Sequence, residues 1–154
     1  MKRLPLFVLF SALFALAFSG CGSSPVPNSI QVSITSCAPA PDEPGSVSLT
    51  LRYANESVFA IGLVRSNHRV FFNGTLVAKI EDAPPVGLPA MGAVNQTLVM
   101  RVENPAALRQ MVASAGDRTV SYRVESVLFQ VFNEDDFRVN AKSEGSVDLR
   151  PLAE

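Results

Sequence analysis

Apolar and polar residues alternate along most of this chain, which is the pattern of strands that bury one face and expose the other. The run that begins at Ile30, for example, continues through Val32 and Ile34 with polar residues between them. We therefore predict antiparallel strands wherever this alternation is sustained. Four further runs have their apolar positions at Val47, Leu49, Leu51 and Tyr53; at Leu98, Met100 and Val102; at Val120, Tyr122 and Val124; and at Phe137, Val139, Ala141, Val147 and Leu149.

The alternation changes phase near Ser126. Up to Val124 the apolar residues of this run occupy even positions, whereas Val127, Phe129 and Val131 occupy odd positions. An extra residue in one strand of a ladder turns the side chains that follow it to the other face. We therefore predict a bulge or a corner near Ser126.

Residues 70–77 predict a hairpin. Two apolar runs flank Asn73 and Gly74, and an Asn-Gly pair tolerates the positive φ angles of a tight type I′ turn. The first run contains the adjacent aromatic residues Phe71 and Phe72. Either both are buried in a strand covered on two sides, or one faces outward and marks an interaction surface.

One segment has the period of a helix instead. Asn104 fits the N-cap, Pro105 fits the first turn and Gly116 fits the end. About seven strands and one short helix predict an all-β fold, in which two antiparallel sheets pack face to face and the helix covers an open end. The apolar stripe of the helix is formed by Leu108, Met111, Val112 and Ala115.

Residues 1–20 have the features of a secretory signal peptide. Lys2 and Arg3 form a basic start, residues 4–18 are apolar, and small residues precede Cys21. Fifteen apolar residues are too few to span a bilayer comfortably, and they suit the central region of a signal. We therefore expect this segment to be removed on export.

Residues 16–21, with the sequence Leu-Ala-Phe-Ser-Gly-Cys, resemble a bacterial lipobox, although Phe18 stands where lipoproteins prefer Leu. In lipoproteins the thiol is linked to diacylglycerol, and cleavage then leaves the Cys as the first residue. The resemblance implies that Cys21 is lipidated. Two or three acyl chains make attachment nearly permanent, because each buried CH₂ contributes about 0.8 kcal/mol. The alternative is an ordinary signal peptide followed by an incidental Cys.

Residues 21–29 follow as a lipidated Cys and a short flexible tether, and the folded domain is expected over residues 30–150. Gly22, not Asp, comes directly after Cys21. By the sorting rules of lipoproteins this favours the outer membrane in a cell with two membranes. We expect a lipid-anchored protein of the cell envelope that faces the periplasm.

The charge of the exported domain argues against nucleic acid as a partner. Loss of Lys2 and Arg3 lowers the basic count from 13 to 11 against 14 acidic residues, a net charge of −3. A mildly acidic domain lacks the positive patch that phosphate binding requires.

Residues able to carry out chemistry are scarce. His68 is the single histidine, and its polar, cationic neighbours predict a position at the surface or at a strand edge. Cys37 cannot form a disulfide with a lipidated Cys21, and we expect it to be buried at a strand end. A zinc site needs about four ligands, which these residues do not supply. We expect no catalytic residue, no bound metal and no cofactor.

Short motifs follow one another in a characteristic order over residues 30–149. An apolar strand runs into Asn55, and a later strand ends at Asn73 and Gly74. After them come a Pro-containing segment at residues 88–90, an alternating strand at 96–102, a short helix, the pair Tyr122 and Arg123, and Gly145. This order resembles the water-stress and hypersensitive-response (WHy) domain, also called the type 2 late-embryogenesis-abundant (LEA) domain. Of the Asn-Pro-Asn motif of that family only Asn55 is kept, since Glu56 and Ser57 follow it.

The resemblance implies an immunoglobulin- or fibronectin type III-like β-sandwich and a role in desiccation or stress tolerance without catalysis. Our leading hypothesis is a non-enzymatic lipoprotein that protects protein clients or membranes, or that maintains the envelope. The alternative is an assembly or adaptor lipoprotein that binds one specific envelope protein, with Phe71 and Phe72 as the candidate surface.

Overall fold

The computed structural model describes residues 29–43, 45–115, 119–132 and 135–153. The predicted signal peptide, Cys21 with most of its tether, and the helix end expected at Gly116 lie outside the described residues.

The described residues form eight strands and one α-helix. The eighth strand, beyond the seven expected, is β5, which has three residues and no alternating pattern. In chain order the elements are β1 (Ile30–Pro39), β2 (Ser46–Asn55), β3 (Ile61–Phe72), β4 (Thr75–Ala83), β5 (Val86–Leu88), β6 (Ala93–Arg101), α1 (Pro105–Ala115), β7 (Val120–Phe132), β8 (Asp135–Val147) and a 3₁₀ turn (Arg150–Leu152).

The strands form two antiparallel sheets, which confirms the all-β sandwich. One sheet has the order β1-β2-β6. The other has the order β4-β3-β7-β8, and β5 pairs with the beginning of β3. The chain crosses between the sheets from β2 to β3, from β5 to β6 and, through α1, from β6 to β7.

The core lies between the sheets and is built from the alternating positions. Leu49, Leu51 and Tyr53 of β2 are fully buried, as are Val70 and Phe72 of β3. Their burial follows from the period-two pattern, because the intervening residues of each strand face away from the second sheet.

The predicted change of phase near Ser126 is wrong. The pairing of β7 with β8 is continuous from Val120 to Phe132, without a bulge. Ser126 and Leu128 continue the inward positions of Val124 and are buried. The apolar residues at 127, 129 and 131 lie on the outer face of the sheet. There the ring of Phe129 is covered by the guanidinium of Arg65, at 3.9 Å.

The helix begins as predicted. The backbone N–H of Ala107 donates to Oδ1 of Asn104 (3.0 Å), which is the contact of an N-cap, and Pro105 is the first helical residue. Leu108 is buried, while Met111 and Val112 are partly buried against the core. The stripe therefore faces the sandwich.

Strand β4 is irregular along its pairing with β3. The register shifts between Ser66 and His68 and again between Val70 and Phe71. Asp82 of β4 has a positive φ of 50°, and its carboxylate lies 3.0 Å from Nη1 of Arg65. This edge of the larger sheet is thus interrupted at several points.

The Asn73–Gly74 turn joins β3 to β4 as predicted. Both residues have positive φ angles, 47° and 79°, as a type I′ turn requires. Oδ1 of Asn73 accepts a hydrogen bond from the hydroxyl of Ser121 (2.9 Å), which ties the turn to β7.

We expect Gly74→Ala to lower the free energy of unfolding by about 1 kcal/mol, because an L side chain is disfavoured at positive φ. No atom lies within 4 Å of the added Cβ, so the cost is conformational and not a clash. The matched control is Gly87→Ala in β5, where the Cβ also meets nothing and φ is outside the left-handed region. Urea unfolding followed by circular dichroism measures the free energy of unfolding of both variants. Equal stability of the two would contradict the left-handed conformation of Gly74.

Candidate functional site

Asn55, at the end of β2, joins two loops at one end of the sandwich. The residue is 2% exposed. Its Nδ2 donates to the carbonyl oxygens of Phe59 (2.8 Å) and Pro89 (3.0 Å), and its Oδ1 accepts from the backbone N–H of Ser57 (2.9 Å). One buried amide therefore fixes the β2–β3 loop, residues 56–60, against the β5–β6 loop, residues 89–92.

Glu56 and Ser57, which depart from the Asn-Pro-Asn motif, are compatible with this arrangement of the two loops. Ser57 accepts a hydrogen bond at its hydroxyl from the N–H of Phe59 (3.0 Å), and its carbonyl accepts from the N–H of Met91 (2.8 Å). The N–H of Glu56, which a proline would lack, donates to the carbonyl of Ser29 (2.7 Å) and holds the start of the domain at the same place.

The sequence expectation for His68 is wrong, because the side chain lies in the core and is 1% exposed. Its Nε2 lies 2.9 Å from the hydroxyls of Tyr53 and Ser66, and its Nδ1 lies 2.8 Å from that of Ser126. Tyr53 belongs to the smaller sheet and the other three residues to the larger one. The cluster is therefore a polar connection across the apolar interface.

Burial decides the protonation of this cluster. It lowers the pKa of His68 to about 4, because the imidazolium loses its hydration. Burial also raises the pKa of Tyr53, an effect that the hydrogen bond from Ser66 partly offsets. Hydroxyl groups can donate or accept, so they satisfy a neutral imidazole in either tautomer. All three partners of the ring are hydroxyls, and the cluster is sealed from solvent, so its geometry suits a structural role.

The alternation of β3 contained a signal for this burial. His68 is two residues before Val70 and four before Phe72, so it shares their inward face. Its polar and cationic neighbours suggested the surface instead. The hydroxyl partners come from three strands, and their convergence depends on the pairing of the sheets.

Phe71 and Phe72 are both buried, which agrees with the first of the two sequence alternatives. Phe72 belongs to the core cluster. Phe71 lies on the outer face of the larger sheet and is 7% exposed, because the guanidiniums of Arg123 (4.1 Å) and Arg69 (5.3 Å) cover its ring. The other alternative placed one ring on the outer face as the mark of an interaction surface. Phe71 does lie on that face, but its ring is covered by the two arginines, and a role in binding stays a prediction.

Cys37 is buried in the last part of β1, as predicted. Burial raises the pKa of its thiol to about 12, so the thiol remains protonated near neutral pH and is a poor nucleophile. Among the residues that the structure describes, no three His, Cys, Asp or Glu side chains lie close enough together to hold a metal ion.

The surface formed by the described residues includes two sizeable depressions. One, of about 830 Å³, runs beside α1 and is lined by Val47, Leu108 and Val112, with Arg109 among its polar residues. The other, of about 690 Å³, lies on the larger sheet and is lined by charged side chains that include Arg69 and Lys79. Within the described residues, no helix has the length and apolar character needed to cross a bilayer.

Several solved structures are similar to this chain. A protein from Arabidopsis thaliana, solved in solution, superposes with a TM-score of 0.59 at 15% identity, over 86% of this chain and 89% of that one. A protein described as a candidate late embryogenesis abundant (LEA) protein, also solved in solution, has a TM-score of 0.48 at 13% identity, over 91% and 83%. A crystal structure from Archaeoglobus fulgidus gives 0.46 at 17% identity, over 77% and 93%. No protein-family model and no curated protein matches the sequence.

At such identities the likeness to the Arabidopsis protein concerns the fold. It extends over most of both chains, so an experimentally solved protein has a similar overall fold.

We expect Asn55→Asp to lower the free energy of unfolding by about 3 kcal/mol, because a buried carboxylate would face the carbonyl oxygens of Phe59 and Pro89. Asn95→Asp is the matched control, since Asn95 is exposed on β6. Chemical denaturation measures both variants at neutral pH. A loss for Asn55→Asp as small as that of the control would show that the amide does not hold the loops.

We expect His68→Gln to reduce the pH dependence of stability. The folded pKa of about 4 lies below the ordinary 6.5, so the unfolded chain binds the proton more tightly. The contribution of this group is complete above pH 6.5 and is lost as the pH falls towards 4. From pH 7.5 to pH 5 this group lowers the free energy of unfolding of the unchanged protein by about 2 kcal/mol. Urea titrations at both values measure the fall; the same fall in the variant would contradict the buried neutral imidazole.

Proposed function

We propose that this chain is a non-enzymatic lipoprotein, anchored to the envelope membrane through acyl groups on Cys21, whose domain is of the WHy (LEA type 2) kind. Its role is protection under desiccation or related stress, or maintenance of the envelope. The proposed location is the outer membrane, with the domain in the periplasm.

One observation carries the proposal: the sandwich begins only nine residues after the lipobox-like Cys21. Strand β1 starts at Ile30, and Ser29 before it is already bonded to Glu56. A lipid on Cys21 would thus hold the domain within about 30 Å of the bilayer, the reach of nine extended residues. The position of the folded domain and that of the processing signal are therefore consistent with each other.

The buried reactive groups support a role without catalysis. The imidazole of His68 and the thiol of Cys37 both lie in the interior, where a substrate would have no access. Burial also keeps the thiol of Cys37 protonated, which is not the form of a nucleophile, and the lowered pKa of His68 makes its neutral imidazole a weak base.

Phe71 and Phe72 are the candidate surface of the adaptor hypothesis, and because both are buried they add no support to it. Crosslinking in cells distinguishes the two functions. Many weakly bound proteins favour the protective role, and one dominant partner favours the adaptor.

We expect radiolabelled palmitate to be incorporated into the unchanged protein and not into Cys21→Ser, because the acyl chains depend on the thiol of residue 21. The Cys21→Ser protein should also keep its signal sequence, which mass spectrometry detects. Cys37→Ala is the matched control, and it should be labelled and cleaved like the unchanged protein.

Survival after drying tests the role apart from the anchor. We expect cells that lack the gene to survive drying less well, with recovery on complementation by the unchanged gene. Absence of label in the unchanged protein would refute the anchor. Equal survival with and without the gene, together with no effect of the purified protein on aggregation of dried enzymes, would refute the protective role.

A further inference from the structure

Three large apolar side chains stand out from one end of the sandwich. Val58 and Phe59 are each 71% exposed in the β2–β3 loop, and Met91 is 69% exposed in the β5–β6 loop. The other exposed large apolar residues of the described chain are each at most 50% exposed. We call Val58, Phe59 and Met91 the apolar tip.

The apolar tip is held in place by hydrogen bonds. Asn55 bonds to the carbonyls of Phe59 and Pro89, and the N–H of Met91 donates to Ser57, so both loops form one platform. Met91 has a φ of 50°, a conformation that L side chains other than Asn and Asp rarely adopt. A rigid loop pair thus displays side chains whose exposure to water is unfavourable.

The tether enters the domain at the same end. Ile30 pairs with Asn55, and the carbonyl of Ser29 accepts from the N–H of Glu56, two residues before Val58. The eight-residue step from Cys21 to Ser29 spans at most about 29 Å. An acyl group on Cys21 is therefore attached nearer to this end than to the opposite end, which carries α1.

We propose that the apolar tip inserts into the interfacial layer of the membrane to which Cys21 is anchored. The proposal rests on the lipid anchor of the proposed function. Loops 56–60 and 89–92 contain one charged residue, Glu56, and no basic one. Because these loops have no basic side chain to attract anionic headgroups, the contact is made through burial of apolar area. The lipid and the tip are two attachments at one end, and together they orient the sandwich with α1 away from the bilayer.

The test uses the full-length protein, purified from membranes and reconstituted into phosphatidylcholine vesicles. A nitrobenzoxadiazole probe is attached at Ala60→Cys beside the tip or at Ala113→Cys on α1; both positions are exposed. The native Cys37 is buried and does not compete for the label. Lipids with a nitroxide on the upper acyl chain should quench the probe at 60 at least about threefold more strongly than the probe at 113.

Substitution identifies the side chains responsible. Val58→Ser, Phe59→Ser and Met91→Ser, introduced together, should abolish the difference between the two probes. Val99→Ser should leave it unchanged, since Val99 is half exposed on β6 near the other end. The difference should also persist in 0.5 M salt, at which a contact made by charges would weaken (about 4 Å of screening length).

Mass spectrometry of the same samples separates this proposal from the anchor. Acylated protein with equal quenching at 60 and 113 overturns the apolar tip and leaves the anchor intact. Absence of acyl groups from the unchanged protein refutes the anchor. The probes are then compared in a Cys21→Ser background, in which residue 21 takes no label, and stronger quenching at 60 on added vesicles supports the tip. Loss of the difference in quenching at high salt overturns insertion into lipid. So does a probe at 60 that is shielded by a second protein molecule and not by lipid.

Discussion

The structure depends on the burial of two apolar sheet faces against each other. Every other strand residue contributes to this interface, so the hydrophobic effect acts along the whole length of the sandwich. The cluster of Tyr53, Ser66, His68 and Ser126 lies inside it and is satisfied by its own members. A polar cluster of this kind favours one alignment of the sheets, since a slip of one residue would leave buried hydrogen-bonding groups without partners.

Much of the fold could be predicted from the sequence because two periods dominate it. Alternation located five of the strands, the Asn73–Gly74 turn located the hairpin of β3 and β4, and the stripe with its Asn104 cap located the helix. The three-residue β5 was missed, since so short a strand has no periodicity and forms through its pairing with β3. The phase near Ser126 was misjudged because a polar side chain can face the core of the sandwich and an apolar one can face outward. Ser126 faces inward to reach His68, and Phe129 faces outward beneath Arg65.

Less of the candidate site could be predicted, for a related reason. Asn55 was found through a family motif, but its three hydrogen bonds join two loops that are distant along the chain, and Pro89 follows Asn55 by 34 residues. The exposure of Val58, Phe59 and Met91 likewise depends on how those loops meet. Nothing in their residue types distinguishes them from core residues. Cys21 lies outside the described residues and remains a prediction from the lipobox-like sequence.

The irregular edge strand β4 has a consequence for crowded conditions. A regular edge offers a continuous row of N–H and C=O groups to a neighbouring molecule, and sheets then grow from one protein into the next. Here register shifts, the left-handed Asp82 and the charged Lys79 interrupt that row. Copies that become concentrated as water evaporates therefore have no straight edge at β4 through which to polymerise.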